Sequence, residues 1–249
     1  MLGVGDLLIP DWPAPAGIRA FFTTRAGGVS EGPYASLNLG LHVGDAVMAV
    51  TANRHDVNAM LPAPPIWLNQ VHGVAVAELT SNMCDGRTPI ADAVVTSLAK
   101  QPCAVLVADC LSILLCDYAG ARVGAAHAGW RGLAAGVIER TVHTMHTPPS
   151  ELMAWLGPAI GPMAFEVGAE VLEAFVATSP QARAAFRSQP GKPGKYLADL
   201  YLLARQRLAQ CGVTSVYGGA FCTYSDPARF FSYRRDGKTG RMAAMIWRQ

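Results

Sequence analysis

Short apolar runs, broken by glycine, proline and acidic residues, pattern this chain, and only a few stretches carry the longer period of a helix. Residues 18–25 read as a first strand, followed by a glycine-rich stretch at 26–33. Further strands are predicted at 66–71, 74–79, 93–96, 104–108, 112–117, 122–126, 153–156, 216–218 and 243–247. Helices are predicted at 47–61, ending before a proline cluster, and at 133–145, 168–177 and 197–211. In the second of these, Val137 with Thr141 and Ile138 with Val142 share faces. Strands and helices mix without regular βαβ alternation, which argues for an α+β fold and against a doubly wound sheet.

The two runs at 112–117 and 122–126 flank Tyr118-Ala119-Gly120-Ala121. Paired as an antiparallel hairpin about that turn, residue numbers facing each other sum to about 239. Cys110 then faces Gly129 and His127 faces Ser112, so a thiol and an imidazole lie at the open end of one ladder. Singly, each has a bland reading: cysteine is often a small buried hydrophobe, and a histidine at a strand end is commonly a hydrogen-bonded structural residue. Together they make a candidate site. His72, in Asn69-Gln70-Val71-His72-Gly73, ends another strand-like run, although spacing alone does not tie it to the pair. Two imidazoles and a thiolate would form a Zn2+ donor set with a fourth position open.

Length and composition narrow the classes. A chain of 249 residues with no linker fits one domain, and Gln189-Pro190-Gly191-Lys192-Pro193-Gly194-Lys195 is short enough to be a loop. Charged residues are 15% and apolar ones 51%, against roughly 25% charged in an average chain. The core is therefore large, with surface left for a second copy in a homodimer. A net charge of +2 with scattered Arg and Lys gives no nucleic-acid footprint. No signal peptide is read at the start, and the apolar stretch 103–116, interrupted by Asp109, is too short to span a bilayer. Six cysteines without a CxxC spacing fit reduced thiols in a cytoplasm.

Other segments carry weaker signals. Asp109 stands in an apolar run beside Cys110, where it would orient a ligand histidine, exchange protons or cap a turn. Asp92 raises the same question. His127-Ala128-Gly129-Trp130-Arg131-Gly132 leads into a helix and offers N–H groups and Arg131 to a phosphate, unless the glycines serve only the turn. Arg25 beside Gly27-Gly28 has the same ambiguity. Glu166 offers a carboxylate after the rigid turn 157–162. The aromatic and arginine-rich 221–237 either stacks on a flat heterocycle and binds an anion or packs as a loop. No GxGxxG or Walker A sequence occurs.

Taken together, Asn69-Gln70-Val71-His72-Gly73, Ala91-Asp92-Ala93, Ala108-Asp109-Cys110, Ala126-His127-Ala128-Gly129-Trp130-Arg131-Gly132, the 157–161 turn and Phe231-Ser232-Tyr233-Arg234-Arg235-Asp236 resemble the YfiH family, long called the laccase-domain or multicopper polyphenol oxidase family. The resemblance runs from about Arg19 to Trp247. It implies a single domain over 1–249 with α/β/β/α layers and mixed sheets, similar to the cysteine-hydrolase-like catalytic domains of deamidating toxins. It implies that His72, Cys110 and His127 bind one Zn2+, with copper the second choice. It further implies phosphorolysis of adenosine, inosine and methylthioadenosine, with deamination of adenosine.

In that frame Cys110, Asp109 and His127 are the catalytic candidates, with Asp109 the guess for proton transfer. Arg25, Arg131 and Arg234 are candidates for holding phosphate, and Asn38 and Gln70 complete the expected substrate contacts. A Cys/His hydrolase acting on an amide or a cell-wall precursor is the competing class, but it leaves His72 without a role. True multicopper oxidation is excluded, because six histidines are too few for a type 1 copper and a three-copper cluster. A single-copper polyphenol oxidase remains chemically simple at a His2Cys set.

Overall fold

The longest apolar runs form strands buried on both faces, and their period of two sends successive side chains into different cores. The structure, a computed structural model, describes residues 3–81 and 88–249. A six-stranded sheet has the order β12 (Ser215–Gly218), β8 (Leu152–Leu156), β6 (Leu111–Asp117), β7 (Val123–Ala128), β4 (Ala93–Thr96) and β3 (Val76–Leu79). Its outer pairs are parallel and its central pairs antiparallel. A four-stranded antiparallel sheet has the order β1 (Leu7–Leu8), β2 (Ile18–Thr23), β13 (Met242–Arg248) and β5 (Cys103–Val107). A small third sheet joins β10 (Phe186–Ser188), β11 (Lys195–Ala198) and β9 (Glu166–Gly168).

Alternation along the strands defines the layers. Leu114 and Cys116 of β6 join Cys103, Val105 and Val107 of β5 and Ala244 and Ile246 of β13 in a core between the two large sheets. Ile113 and Leu115 point the other way, into a core shared with α2 (Trp130–Ala135), α3 (Val137–Thr144), α4 (Ala169–Val176) and α5 (Leu200–Gln210). Ala104, Leu106, Ala243 and Met245 face a third core with Val57 of α1 (Val47–Asn58). The result is a mixed α/β fold with helix, sheet, sheet and helix in succession. A four-residue α6 (Tyr233–Asp236) precedes β13. Among the described residues, no helix is long and apolar enough to cross a membrane.

Several elements differ from the sequence expectation for identifiable reasons. The run 66–71 forms no strand beyond a single parallel bridge of Asn69 with Ile90. Instead the Gln70 side-chain amide donates to the Leu106 carbonyl at 2.9 Å and accepts the Leu106 N–H at 2.7 Å, standing in for a ladder. The helix expected at 133–145 is two helices, parted by Gly136 at φ 101°, a left-handed conformation that closes α2 and suits glycine. The helix expected from 197 starts at Leu200, because Asp199 caps it by accepting the Leu202 N–H at 2.9 Å. The strand β11 occupies the residues before it.

Candidate metal centre and active-site cavity

The β6–β7 ladder pairs Leu111 with Ala128 and Ser112 with His127, the register predicted from the turn. One step beyond the ladder, Cys110 meets Gly129. A Cβ on Gly129 would lie 2.9 Å from Cys110 Sγ, 3.0 Å from His72 Cδ2 and 3.6 Å from His127 Nε2. The backbone of Gly129 is ordinary, at φ −61°, so glycine is required here for space and not for its torsions. The three donor atoms of His72, Cys110 and His127 all lie within 4.8 Å of one another and could hold a metal ion. His72 Nε2 is 3.8 Å from Cys110 Sγ, and the two imidazoles stand edge to face at 4.7 Å.

Asp92 organises this cluster. Fully buried, its carboxylate accepts the backbone N–H groups of Val71 at 3.2 Å, His72 at 2.9 Å and Gly73 at 2.6 Å, and it lies 2.8 Å from His127 Nδ1. Those bonds hold His72 in a left-handed conformation, φ 59°, that a non-glycine residue adopts only when its surroundings enforce it. They also orient His127 so that Nε2 faces the cluster. Burial acts to raise the Asp92 pKa, but the bond to His127 and the backbone N–H groups outweigh it and hold the carboxyl below its usual range.

Burial would likewise push the Cys110 thiol up, yet the charge and hydrogen bond of His127, with help from His72, bring it down to about 6. Burial works against the charge on His127, and the Cys110 thiolate and Asp92 raise its pKa to about 9. Without metal, the pair is therefore a thiolate beside an imidazolium.

The cluster opens into a cavity of about 540 Å³ lined by His42, Leu68, Asn69, Gln70, Leu106, Val107, Ala108, Arg131, Tyr233 and Arg241 beside the three donors. That volume lies in the range of small-molecule sites. Of the expected substrate contacts, Gln70 and Arg131 reach the cavity, with Gln70 committed to the Leu106 backbone and Arg131 exposed over the Trp130 ring.

Arg25, Asn38 and Arg234 do not line the cavity. Arg25 donates to the carbonyls of Ala35 and Pro227 and stacks on Phe231. Asn38, fully buried, accepts the Arg241 N–H at 2.8 Å and donates to Asp45. Arg234 donates to the Glu166 carbonyl and covers Phe165. Glu166 itself pairs with Lys192 at the surface, 2.7 Å away.

Asp109, the expected proton-transfer candidate, stands in a hydrogen-bond network of its own. Its oxygens accept from Thr223 Oγ1 at 2.6 Å, Ser232 Oγ at 3.0 Å and the Arg234 N–H at 2.6 Å, and none of these donors belongs to the metal cluster. Both Asp109 oxygens thus tie the C-terminal segment beside Cys110, and Asp92 is the carboxylate that orients His127. The sequence reading did not single out His42 or Arg241, and it included Tyr233 only as part of the aromatic and arginine-rich 221–237 segment. The β5–β13 register, Val107 with Met242, carries Arg241 to the ligand-bearing loop, and that pairing spans most of the chain.

Known proteins resemble this chain along nearly its whole length. A family model described as multi-copper polyphenol oxidoreductase laccase matches residues 19–249. A Pseudomonas aeruginosa protein named purine nucleoside phosphorylase is 54% identical over 242 residues, covering 97% of this chain and 98% of the relative. Escherichia coli YfiH, which carries the same activity in its name, is 54% identical over 246 residues, covering 98% and 99%. The crystal structure of a Neisseria meningitidis protein superposes with a TM-score of 0.94 at 52% identity, covering 98% of this chain and 99% of that one. Geobacillus stearothermophilus YlmD follows at 0.92 and 36% identity, covering 100% and 98%.

Proposed function

This chain belongs to the family described as multi-copper polyphenol oxidoreductase laccase, and from its site and its relatives' names we propose that it is a zinc-dependent purine nucleoside phosphorylase. Its substrates in this reading are adenosine, inosine and methylthioadenosine, with adenosine deamination as an accompanying activity. The observation that carries the proposal is the convergence of His72, Cys110 and His127 at a cavity of about 540 Å³. The donor set suits zinc: a thiolate and two imidazoles, with a glycine leaving the space between them. A bound Zn2+ would supply Lewis-acid polarisation of a substrate oxygen.

The chain's own residues do the rest. Asp92 fixes the ring orientation of His127 and the backbone of His72, so the donors need not reorganise on binding. Leu68, Leu106 and Val107 offer apolar surface for the face of a purine, and the cavity shields the ribose from bulk water. Arg131, exposed at the same cavity, adds positive potential at its mouth and favours entry of an anion. Phosphate then attacks C1′, the C1′–N9 bond breaks, and the departing purine takes up a proton from solvent, giving ribose 1-phosphate and the free base. We place the protein in the cytoplasm, where its described cysteines, all free, are kept reduced.

A second reading has one observation in its favour. The lowered Cys110 and raised His127 form the thiolate–imidazolium pair of a cysteine hydrolase. Alkylation separates the two. As a ligand, Cys110 should resist iodoacetamide until zinc is stripped; rapid labelling with zinc fully bound would hand the site to the hydrolase. Product analysis addresses the reaction itself. Inosine and phosphate should give hypoxanthine and ribose 1-phosphate, and adenosine without phosphate should give inosine. Release of base without phosphate, or activity on an amide alone, contradicts phosphorolysis. A full complement of copper after metal-balanced growth would contradict zinc and revive the single-copper oxidase.

A further inference from the structure

Beside the metal cavity lies a second hollow, of about 360 Å³, between the single turn Leu41–Val43 and the loop 237–241. His42, Val43, Tyr233, Gly237, Lys238, Thr239 and Arg241 line it, and His42, Tyr233 and Arg241 line the metal cavity as well. The two spaces therefore share a wall.

Three features of this hollow call for an anion. Lys238 and Arg241 both face it, and neither is within ion-pair distance of a carboxylate among the described residues. Arg241 uses Nη1 on the carbonyls of Thr239 and Gly240, at 3.1 and 3.0 Å, which leaves Nε and Nη2 with no acceptor among the described residues. Burial lowers the pKa of this half-buried guanidinium and the charges of Cys110 and Asp109 offset that only in part, so an anion in the hollow would stabilise it further.

Thr239 is the independent sign. It is only 2% exposed, yet its Oγ1 has no hydrogen-bond partner among the described residues. A buried hydroxyl is rarely left so. His42 also lines the hollow: burial lowers its pKa and the nearby Arg241 and Arg54 guanidinium groups lower it further, so the ring adds no charge of its own to theirs.

We propose that this hollow is an oxyanion subsite that holds free phosphate, bound by Arg241, Lys238 and the Thr239 hydroxyl, next to the nucleoside in the metal cavity. The proposal rests on the phosphorylase reading for its ligand. Arg241 forks toward two phosphate oxygens, Lys238 adds charge and Thr239 donates its hydroxyl proton. The shared wall places a phosphate oxygen beside the ribose. Asn38, buried and bonded to the Arg241 N–H, positions this loop without touching the anion.

The test combines direct phosphate binding with kinetics. Inorganic phosphate is titrated calorimetrically into zinc-loaded wild type, Arg241→Gln, Lys238→Gln and Thr239→Val, with circular dichroism as the fold control. The KM for phosphate and the KM for inosine are measured separately on the same proteins. Arg241→Gln should weaken phosphate by about tenfold or more and Thr239→Val by about threefold, because charged hydrogen bonds contribute more than neutral ones. For Lys238→Gln and Thr239→Val, which line the second hollow and not the metal cavity, the KM for inosine should stay within about twofold.

Should Arg241→Gln fail to fold, the near-isosteric Thr239→Val and the surface Lys238→Gln decide the matter. Phosphate affinity and KM unchanged in all folded variants overturn the subsite while leaving the phosphorylase reading intact. Phosphate binding that needs Arg241 in a protein without phosphorolysis supports the subsite and overturns that reading. Binding of a nucleoside monophosphate through Arg241, with no binding of inorganic phosphate, also overturns the proposal.

Discussion

Asp92 accepts the N–H groups of three successive residues and Nδ1 of His127 with one buried carboxylate. Replacing it by asparagine keeps the shape but weakens the grip on both histidines. We expect Asp92→Asn to fold and to bind zinc about 10- to 100-fold more weakly, the usual effect of losing such a partner; competition with a chromophoric chelator measures this, and unchanged affinity would remove Asp92 from the account. Gly129→Ala should act on the same cluster by sterics, because its Cβ would sit 2.9 Å from Cys110 Sγ.

Proton linkage gives a further expectation at this scale. Cys110 is a thiolate above about 6 and His127 an imidazolium below about 9, so between these limits metal binding must displace the His127 proton. At pH 7.5, zinc binding should release about one proton, read from calorimetry in buffers of different ionisation enthalpy. Below about 6 the thiol is protonated as well, and zinc affinity should fall as the pH drops. A pH-independent affinity from 5 to 8 would contradict the thiolate assignment. Cys110 and His127 were legible in the sequence because a local hairpin fixes their register. His72 was not, since a carboxylate distant in sequence holds its backbone in an unusual conformation.

Elements around the site are joined by few but specific ties. Asp109, itself at φ 81°, collects the hydroxyls of Thr223 and Ser232 and the N–H of Arg234. Asp109→Ala leaves these donors without their acceptor next to Cys110. A loss of about 3 kcal/mol is expected in denaturant unfolding, in line with removing one partner of a buried charged network. Loss of activity with unchanged stability would instead restore a direct chemical role. Strands with near-continuous apolar runs, such as β4 and β6, stood out because both faces are buried. The short β9, β10 and β11 did not, since exposed charged residues in Phe186–Ser188 and Lys195–Ala198 hide their pattern. Gln70 shows the opposite failure, an apolar run whose ladder partner is a side-chain amide.

At the scale of the whole molecule, the two sheets bury one core between them and one on each outer side, and the ends of β5, β6, β7 and β13 meet at the cavity. Layer order followed from mixed strands and helices only with the family resemblance, because the pairing of β2 with β13 joins opposite ends of the chain. That closure places Arg241 beside the His72, Cys110 and His127 cluster and, in the proposed reading, would give nucleoside and phosphate adjoining spaces. The most direct test of the account is ribose 1-phosphate formation from inosine and phosphate, followed by 31P NMR for four samples: native protein, chelated protein, zinc-restored protein and Cys110→Ser. The account predicts product with the native and zinc-restored samples, and a drop of about 100-fold or more in the other two, as expected when a metal's transition-state stabilisation is lost. Undiminished product from Cys110→Ser, or from the chelated protein with its zinc shown to be gone, would contradict it.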